Sequence, residues 1–465
     1  MISPYLKDAS NFSGGSADKV IIPESSDELI NFLITNDCPI TIAGAGTGMT
    51  ASRIPESGLI VSLERFTKLG DVRNGFIDVG PAISLAQLNE HLVSTKYFYP
   101  PNPTETLASV GGTLATNASG SRSYKYGVTR DYILEADIVF ADGKTVSLKR
   151  GLTIKNPLIL SDGQEIHFPN IKYTSPRCKN AAGYHIRTDM DWLDLFIGSD
   201  GTLCIFTRIR LKLLPRPAAF ISGILFFNKE EECWSLVDSI KKSDIKYIKP
   251  CSLEYFDIRS LRRLRNKFEN IPLNARAAIF FENDIKSQKD YDYSLEVWID
   301  YLNNKGVLLD DSWFAQSPND LKRFHEFRHA IPVLINEENS RLGRLKIGTD
   351  LAVSDDHLVH MMEFYRDELE GSKIDFVVFG HLGDNHLHIN LLPNTNQIEK
   401  AHEIYKKLVN QILEWKGTVS AEHGIGKLKK NYFLQMVGKS SLEDLRTIKK
   451  TFDPLLILGK GNIFD

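Results

Sequence analysis

The chain has 465 residues, of which 42% are hydrophobic and 25% charged, with a formal net charge of −3. That length exceeds one ordinary core, so two domains are expected, and the composition is that of a globular protein rather than a disordered or fibrous one. The near-neutral balance gives no reason to expect a nucleic-acid partner, because such binding is driven by basic surface. The five cysteines, Cys38, Cys178, Cys204, Cys233 and Cys251, are scattered without a C-x-x-C pair. They read as reduced thiols of a cytoplasmic protein and exclude an iron–sulfur cluster held by this chain alone. The N-terminus lacks a signal-peptide pattern and no apolar run of about 18 residues occurs, so no membrane span is expected.

In chain order, "PESSDELINFLITND" predicts a helix opened by a capping box of Ser25 and Glu28. "CPITIAGAGTGMT" predicts a strand running into Gly44, Gly46 and Gly48. Backbone N–H groups in such a loop form a nest for phosphate. It is not a Rossmann fingerprint, because Met49 holds the sixth position and Pro55 and Gly58 prevent a following helix. No Gly-Lys-Ser/Thr follows, which excludes a Walker loop; taken alone, an ordinary tight turn explains the segment equally well. "GLIVSL" predicts a strand, and "GFIDVGPAISLAQLNEHLVSTKYF" a strand, a turn and a helix with Leu85, Leu88 and Leu92 on one face. "YPPNPTETLASVGGTLATNASGSRSYKYG" is too long and glycine-rich for a core element and suggests backbone lying along a large ligand.

"YILEADIVFADGKTV" predicts a strand pair turning at Asp142-Gly143. "LFIGSDGTLCIFTRI" again runs from a glycine turn into a strand, which Pro215 and Pro217 end, so a domain boundary is expected near residue 215. Beyond it, strand-like "AAFISGILFF" and "RAAIFFEN" alternate with helical "EEECWSLVDSIKK" and "SLEVWIDYLNN", an α+β pattern with a sheet covered on one side. "KLKKNY" reads as a solvated helix face, and the helix "SSLEDLRTIKKTFD" is stopped at Pro454.

The chain holds 12 histidines, yet "GHLGDNHLHINLL" places His381, His386 and His388 close together. The spacing predicts two strands joined at "LGDN", with His386, His388 and Asn390 on one face and Leu387, Ile389 and Leu391 on the other. His381 ends the first strand and returns to the same face. "SAEHGIGK" adds Glu422 and His423. Any one of these histidines alone is best read as a hydrogen-bonded residue of a polar sheet face. The set, with a carboxylate from a separate segment, suits zinc or a similar divalent ion.

Together these segments resemble the FAD-linked oxidoreductases of the vanillyl-alcohol oxidase type, in the D-2-hydroxyacid dehydrogenase branch. That branch includes D-lactate dehydrogenases, the flavin subunit of glycolate oxidase and D-2-hydroxyglutarate dehydrogenase. The resemblance implies an α+β fold: a two-subdomain FAD-binding domain over residues 1–215 and a C-terminal substrate and metal-binding domain with an antiparallel sheet over 216–465. The last residues would return to the FAD domain. "GAGTGMT" resembles the pyrophosphate loop, implying cofactor contacts from Gly44, Ala45, Gly46, Thr47, Gly48 and Met49. "PPNPTETLASVGGTLATNASG" resembles the segment flanking the isoalloxazine, implying Pro101, Ser109, Gly111, Gly112, Thr116, Asn117 and Gly120. "GSDGTLCIFT" resembles the strand over the pyrimidine edge, implying Gly201 and Ile205, and "KNAAGYHI" matches a further family segment. The family has Glu, Gly and Asp where this chain has Asp200, Cys204 and His185. No histidine or cysteine lies within residues 40–50 or 100–130, so FAD is expected to bind non-covalently.

The family motif G-H-x-G-D-G-N-x-H and its E-H-G imply His381, His388 and Glu422 as metal ligands and His423 as catalytic base. Here Asn385-His386 replaces the usual Gly-Asn; Asn385 can adopt the left-handed turn, and His386 is expected beside the metal or in the substrate pocket. Arg328 of "FHEFRHAIP" resembles the substrate arginine, with Lys346 and Asn390 as further substrate candidates. The implied reaction oxidises a D-2-hydroxy acid to the 2-oxo acid by hydride transfer to flavin N5, with electrons leaving to a quinone, a cytochrome or an electron-transfer flavoprotein. A cytoplasmic enzyme, peripheral to a membrane or not and with homodimerisation open, is the expectation. Two alternatives stand beside it: a flavin subunit of a glycolate oxidase-like complex, and a flavin-free metal-dependent hydrolase.

Overall fold

In the computed structural model, which describes residues 2–305, 307 and 309–464, strands Lys19–Ile21, Leu59–Ser62 and Ile40–Ala43 form a parallel sheet in that order. Helix Ser26–Ile34 buries Leu29 and Leu33 against Ile40 and Val61 of this sheet. Ser25 Oγ accepts the Glu28 N–H at 3.2 Å. The reciprocal arm departs from the expected box: Glu28 Oε2 accepts from the Glu24 N–H at 2.8 Å, one residue before the cap. Strands Phe76–Val79, Ile205–Lys212, Ile133–Val139 and Thr145–Lys149 form an antiparallel sheet in that order, and Gly143 makes the predicted turn with φ +81°.

The glycine-rich segment is not all extended backbone. Residues Val110–Thr116 form a helix capped by Ser109 and ended by Asn117 in the left-handed region, φ +50°. The helix exists because Val110 and Leu114 enter the core. Gly111 lets it pack tightly, since a Cβ there would sit 2.6 Å from Pro81 Cβ.

The large sheet runs in the order Trp313–Phe314, Ala219–Phe227, Ala277–Ile285, Ser252–Asp257, Asp375–His381, His386–Leu392 and Ile347–Gly348, and the short strand Leu351–Ala352 also pairs with His386–Leu392. Every pairing is antiparallel. The expectation of a sheet covered on one side is wrong. Ile224, Phe226, Phe256 and Phe280 pack against helices Ile258–Leu264 and Pro318–Leu342. Leu225, Tyr255, Ile279 and Phe281 share a core with Trp234, Trp298 and Tyr365 from three other helices. All nine positions of Ala277–Ile285 are buried, so the apolar run Ala277–Phe281 at its start reports a doubly covered strand.

After helix Ile398–Glu414, a loop through residues 418–426 leads to helix Lys430–Phe452, which is broken at Gly438 (φ +71°). The chain then returns to the N-terminal parallel sheet, where the Ile40 N–H bonds Ile457 O at 2.7 Å and the Gly459 N–H bonds Ile40 O at 2.7 Å. Among the described residues no helix is long and apolar enough to cross a membrane.

Candidate active site between the glycine loop and the histidine strands

A cavity of about 1670 Å³ reaches from the glycine loop to the ends of the two histidine strands. It exceeds the roughly 300–1,000 Å³ of ordinary small-molecule pockets, leaving room for a large cofactor and a substrate together. Residues 44–49 line one end, with Ser109, Gly112 and Thr116 of the short helix and Gly201 and Ile205 of the third glycine segment. Gly111 and Gly120 also reach the wall. At Gly48 a Cβ would meet only Asp8 Oδ2, at 3.9 Å, so open space lies in front of the loop. Gly120 is required by packing instead, since its Cβ would lie 2.1 Å from Asn102 O. Pro101 and Asn117 stand off the cavity wall; Asn117 Oδ1 accepts the Arg130 N–H at 3.0 Å.

At the other end lie His381, His388, Asn390, Glu422, His423, Arg328 and Lys346. Asn385 takes the left-handed conformation, φ +52°, that the turn requires, and strand alternation buries Leu387, Ile389 and Leu391 in the core away from the histidine face. His381 Nδ1 contacts Glu254 Oε1 at 2.6 Å, and its Nε2 lies 3.2 Å from Glu422 Oε1. His388 Nε2 lies 3.9 Å from Glu422 Oε2. His386 does not reach the cavity wall: it is 0% exposed, with Nδ1 4.0 Å from Glu422 Oε1.

Burial works on each group, and the neighbouring charges decide the outcome. Burial would lower the His381 pKa, but the carboxylates of Glu254 and Glu422 push it up to about 9. Burial holds His386, His388 and His423 below the ordinary range and therefore neutral, despite nearby carboxylates. Glu422 is driven up by burial and down, by a larger margin, by His381 and Lys179, which keep it a carboxylate.

Five partners complete the site, and local pattern pointed to few of them. Asp350, 1% exposed, is the hub. Its carboxylate accepts Ser420 Oγ at 2.7 Å, the Glu422 and His423 N–H groups at 3.2 and 3.0 Å, and Lys429 Nζ at 2.5 Å. It also lies 3.3 Å from His423 Nδ1. Lys179 Nζ and Ser119 Oγ both donate to Glu422 Oε1, at 2.6 and 2.8 Å, leaving Oε2 free to face His388. Glu254, the cross-strand partner of His381, also accepts Arg328 Nε at 3.1 Å. Asp200, where the family has Glu, accepts the Ile425 and Gly426 N–H groups at 2.9 Å each and so anchors the loop carrying Glu422 and His423. The advance signs were for Lys179, which heads the "KNAAGYHI" segment, and for Asp200, which stands where the family has Glu.

The residues present fit the two groups that the resemblance implies. Three imidazoles and a carboxylate have ligand atoms within 4.8 Å of one another, and the long glycine-lined end of the cavity opens onto them. On the substrate side, Arg328 is buried against Glu254 and its Nη1 meets His329 Nε2 at 2.5 Å. Lys346 Nζ donates to Asn336 Oδ1 at 2.7 Å. Cys204 lines the wall, and burial raises its thiol's pKa far above the ordinary value.

Comparison with known proteins gives consistent results over nearly the whole chain. Residues 17–149 match a family described as FAD binding domain, and residues 216–463 match FAD linked oxidases, C-terminal domain. The chain is 26% identical to glycolate oxidase subunit GlcD of Bacillus subtilis, over 99% of this chain and 92% of that one. It is 27% identical to a D-lactate dehydrogenase of Anaerostipes hadrus, with the same coverage. A D-lactate dehydrogenase of Archaeoglobus fulgidus is 25% identical over 96% of this chain and 90% of its own. Alkyldihydroxyacetonephosphate synthase matches in structure with a TM-score of 0.66 over 95% of this chain and 75% of that chain; at 15% identity this shows the fold alone. The expected fold class, an FAD-binding domain followed by an α+β domain with an antiparallel sheet, is the one found.

Proposed function

From the membership of this chain in the FAD linked oxidases, we infer that it is a dehydrogenase oxidising a D-2-hydroxy acid to the 2-oxo acid. The observation that carries this reading is the continuity of one cavity from the glycine loop to Glu422 and His423. Residues 1–215 would hold FAD non-covalently, through residues 44–49, Ser109, Gly112, Thr116, Gly201 and Ile205, and residues 216–465 would hold the substrate. When bound, FAD supplies the acceptor for the hydride on the substrate's C2.

His381, His388 and Glu422 would hold a divalent ion, zinc or one of similar preference, which when bound supplies a Lewis acid for the substrate's hydroxyl. His423 is buried and kept neutral, the form that accepts a proton from that hydroxyl. Asp350 beside its Nδ1 favours the tautomer with the proton there, leaving Nε2 for the substrate. Arg328, Lys346 and Asn390 line the same space and supply donors for the substrate carboxylate. Glu254 at Nε and His329 at Nη1 fix the guanidinium of Arg328 and leave Nη2 for this task. The five cysteines are scattered and offer no site for a cluster, so electrons from the substrate would leave to a separate carrier.

The test is anaerobic mixing of purified protein with a panel of D- and L-2-hydroxy acids while flavin absorbance is followed. Bleaching by D-acids with release of the 2-oxo acid is the expected result. A protein with flavin that no 2-hydroxy acid bleaches overturns the assignment, and a protein without flavin returns the flavin-free hydrolase to consideration.

A further inference from the structure

We propose that His386 is a fourth protein ligand of the divalent ion, so that three imidazoles and one carboxylate surround it. This rests on the metal reading above, which takes only His381, His388 and Glu422. The three rings are built alike. Each turns one nitrogen outward to a carboxylate or carbonyl oxygen and the other inward to the Glu422 carboxylate. For His381 the outward contact is Glu254 Oε1 at 2.6 Å and the inward distance 3.2 Å. For His388 they are Thr349 O at 3.4 Å and 3.9 Å. For His386 they are Asp350 Oδ1 at 2.9 Å and 4.0 Å. An acceptor on the outer nitrogen is how proteins fix the tautomer and aim of a ligating histidine.

The second observation is an unsatisfied atom. His386 is completely buried, and its Nδ1, the nitrogen turned toward Glu422, completes no hydrogen bond. An unsatisfied buried polar atom is costly, so a histidine kept only as filling is a poor choice here, where the family pattern has the smaller Asn. An ion at Nδ1 satisfies that atom and gives the neutral ring a purpose. The ring centroids agree: His386 lies 4.6 Å from His388 and 5.2 Å from His381, nearer to both than those two are to each other, at 5.6 Å.

A consequence for the ion follows. Catalytic zinc commonly has three protein ligands and one open position. With four protein ligands, a hydroxy acid chelating through hydroxyl and carboxylate needs two further positions, which a six-coordinate first-row dication provides.

The experiment uses the full-length, FAD-loaded protein, stripped with a chelator and reloaded with Co²⁺. X-ray absorption fine structure counts the imidazoles, and competition with a chelator measures affinity. Expected are three imidazoles in the wild type, and in His386→Asn two imidazoles with affinity at least about 100-fold weaker. That loss lies beyond the 10–100-fold usual for outer partners. FAD content and the thermal midpoint check that the variant folds; if it does not, the wild-type count decides alone. Two imidazoles in the wild type, or a loss under 100-fold in the folded variant, overturns this proposal and leaves the three-ligand reading standing. A wild-type protein that takes up no Co²⁺ overturns both.

Discussion

Replacing Asp350 with Asn removes one charge and almost no volume. In the folded protein Lys429 Nζ contacts the Asp350 carboxylate at 2.5 Å, with the lysine side chain 12% exposed and the aspartate 1%. The amide leaves that ammonium without its counter-charge in a buried setting, a loss of about 3–5 kcal/mol by comparison with other broken buried pairs. A cooperative unit of some 250 residues shifts by about 2–4 °C per kcal/mol, so the thermal midpoint should fall by roughly 6–20 °C. Asp350→Asn with Lys429→Met removes both charges and should recover most of that fall. Flavin reduction by substrate should behave differently. The amide places a donor where His423 Nδ1 needs an acceptor, so the rate should drop by at least about 10²-fold and stay low in the double variant. Differential scanning fluorimetry and anaerobic stopped-flow read the two effects separately. A single variant within about 2 °C of wild type refutes the buried-pair reasoning. A rate that recovers together with the stability refutes the positioning role.

His423→Ala should keep its FAD and metal content while flavin reduction slows by about 10²–10⁴-fold, the range for a lost general base; a near-wild-type rate in stopped-flow would show that the base lies elsewhere. Acid precipitation should release intact FAD into the supernatant, measurable by fluorescence, and flavin retained on the pellet would point to a covalent link, with Cys204 on the cavity wall the first residue to substitute. Burial, reinforced by Asp257, pushes the Glu230 carboxyl up from 4.5 to about 7. A carboxyl raised in the folded state makes the fold most favourable when protonated, so stability declines as pH rises from about 4.5 to 7, by at most about 3 kcal/mol. Glu230→Gln should therefore match wild type near pH 4.5 and melt higher at pH 8; equal midpoints at both pH values would exclude the effect.

Much of this site could be read from short stretches because the forces that shape them are local. Strand alternation alone assigns His386, His388 and Asn390 to one face and Leu387, Ile389 and Leu391 to the core. The tight turn between the strands needs a residue tolerant of positive φ, and Asn385 supplies it. The glycine loop follows its strand for the same kind of reason. The sheet's second helical cover was missed because a short apolar run such as "RAAIFFEN" looks alike on a strand buried on one side or on both. The choice of partners needed the tertiary structure. Asp350 bonds the Glu422 N–H across 72 residues, Glu254 meets His381 across 127, Lys179 reaches Glu422 across 243, and Ser119 does so across 303. No periodicity connects such positions. What joins them is the cost of burying a charge or a ring nitrogen without a partner, and that cost arises only once packing has removed the water.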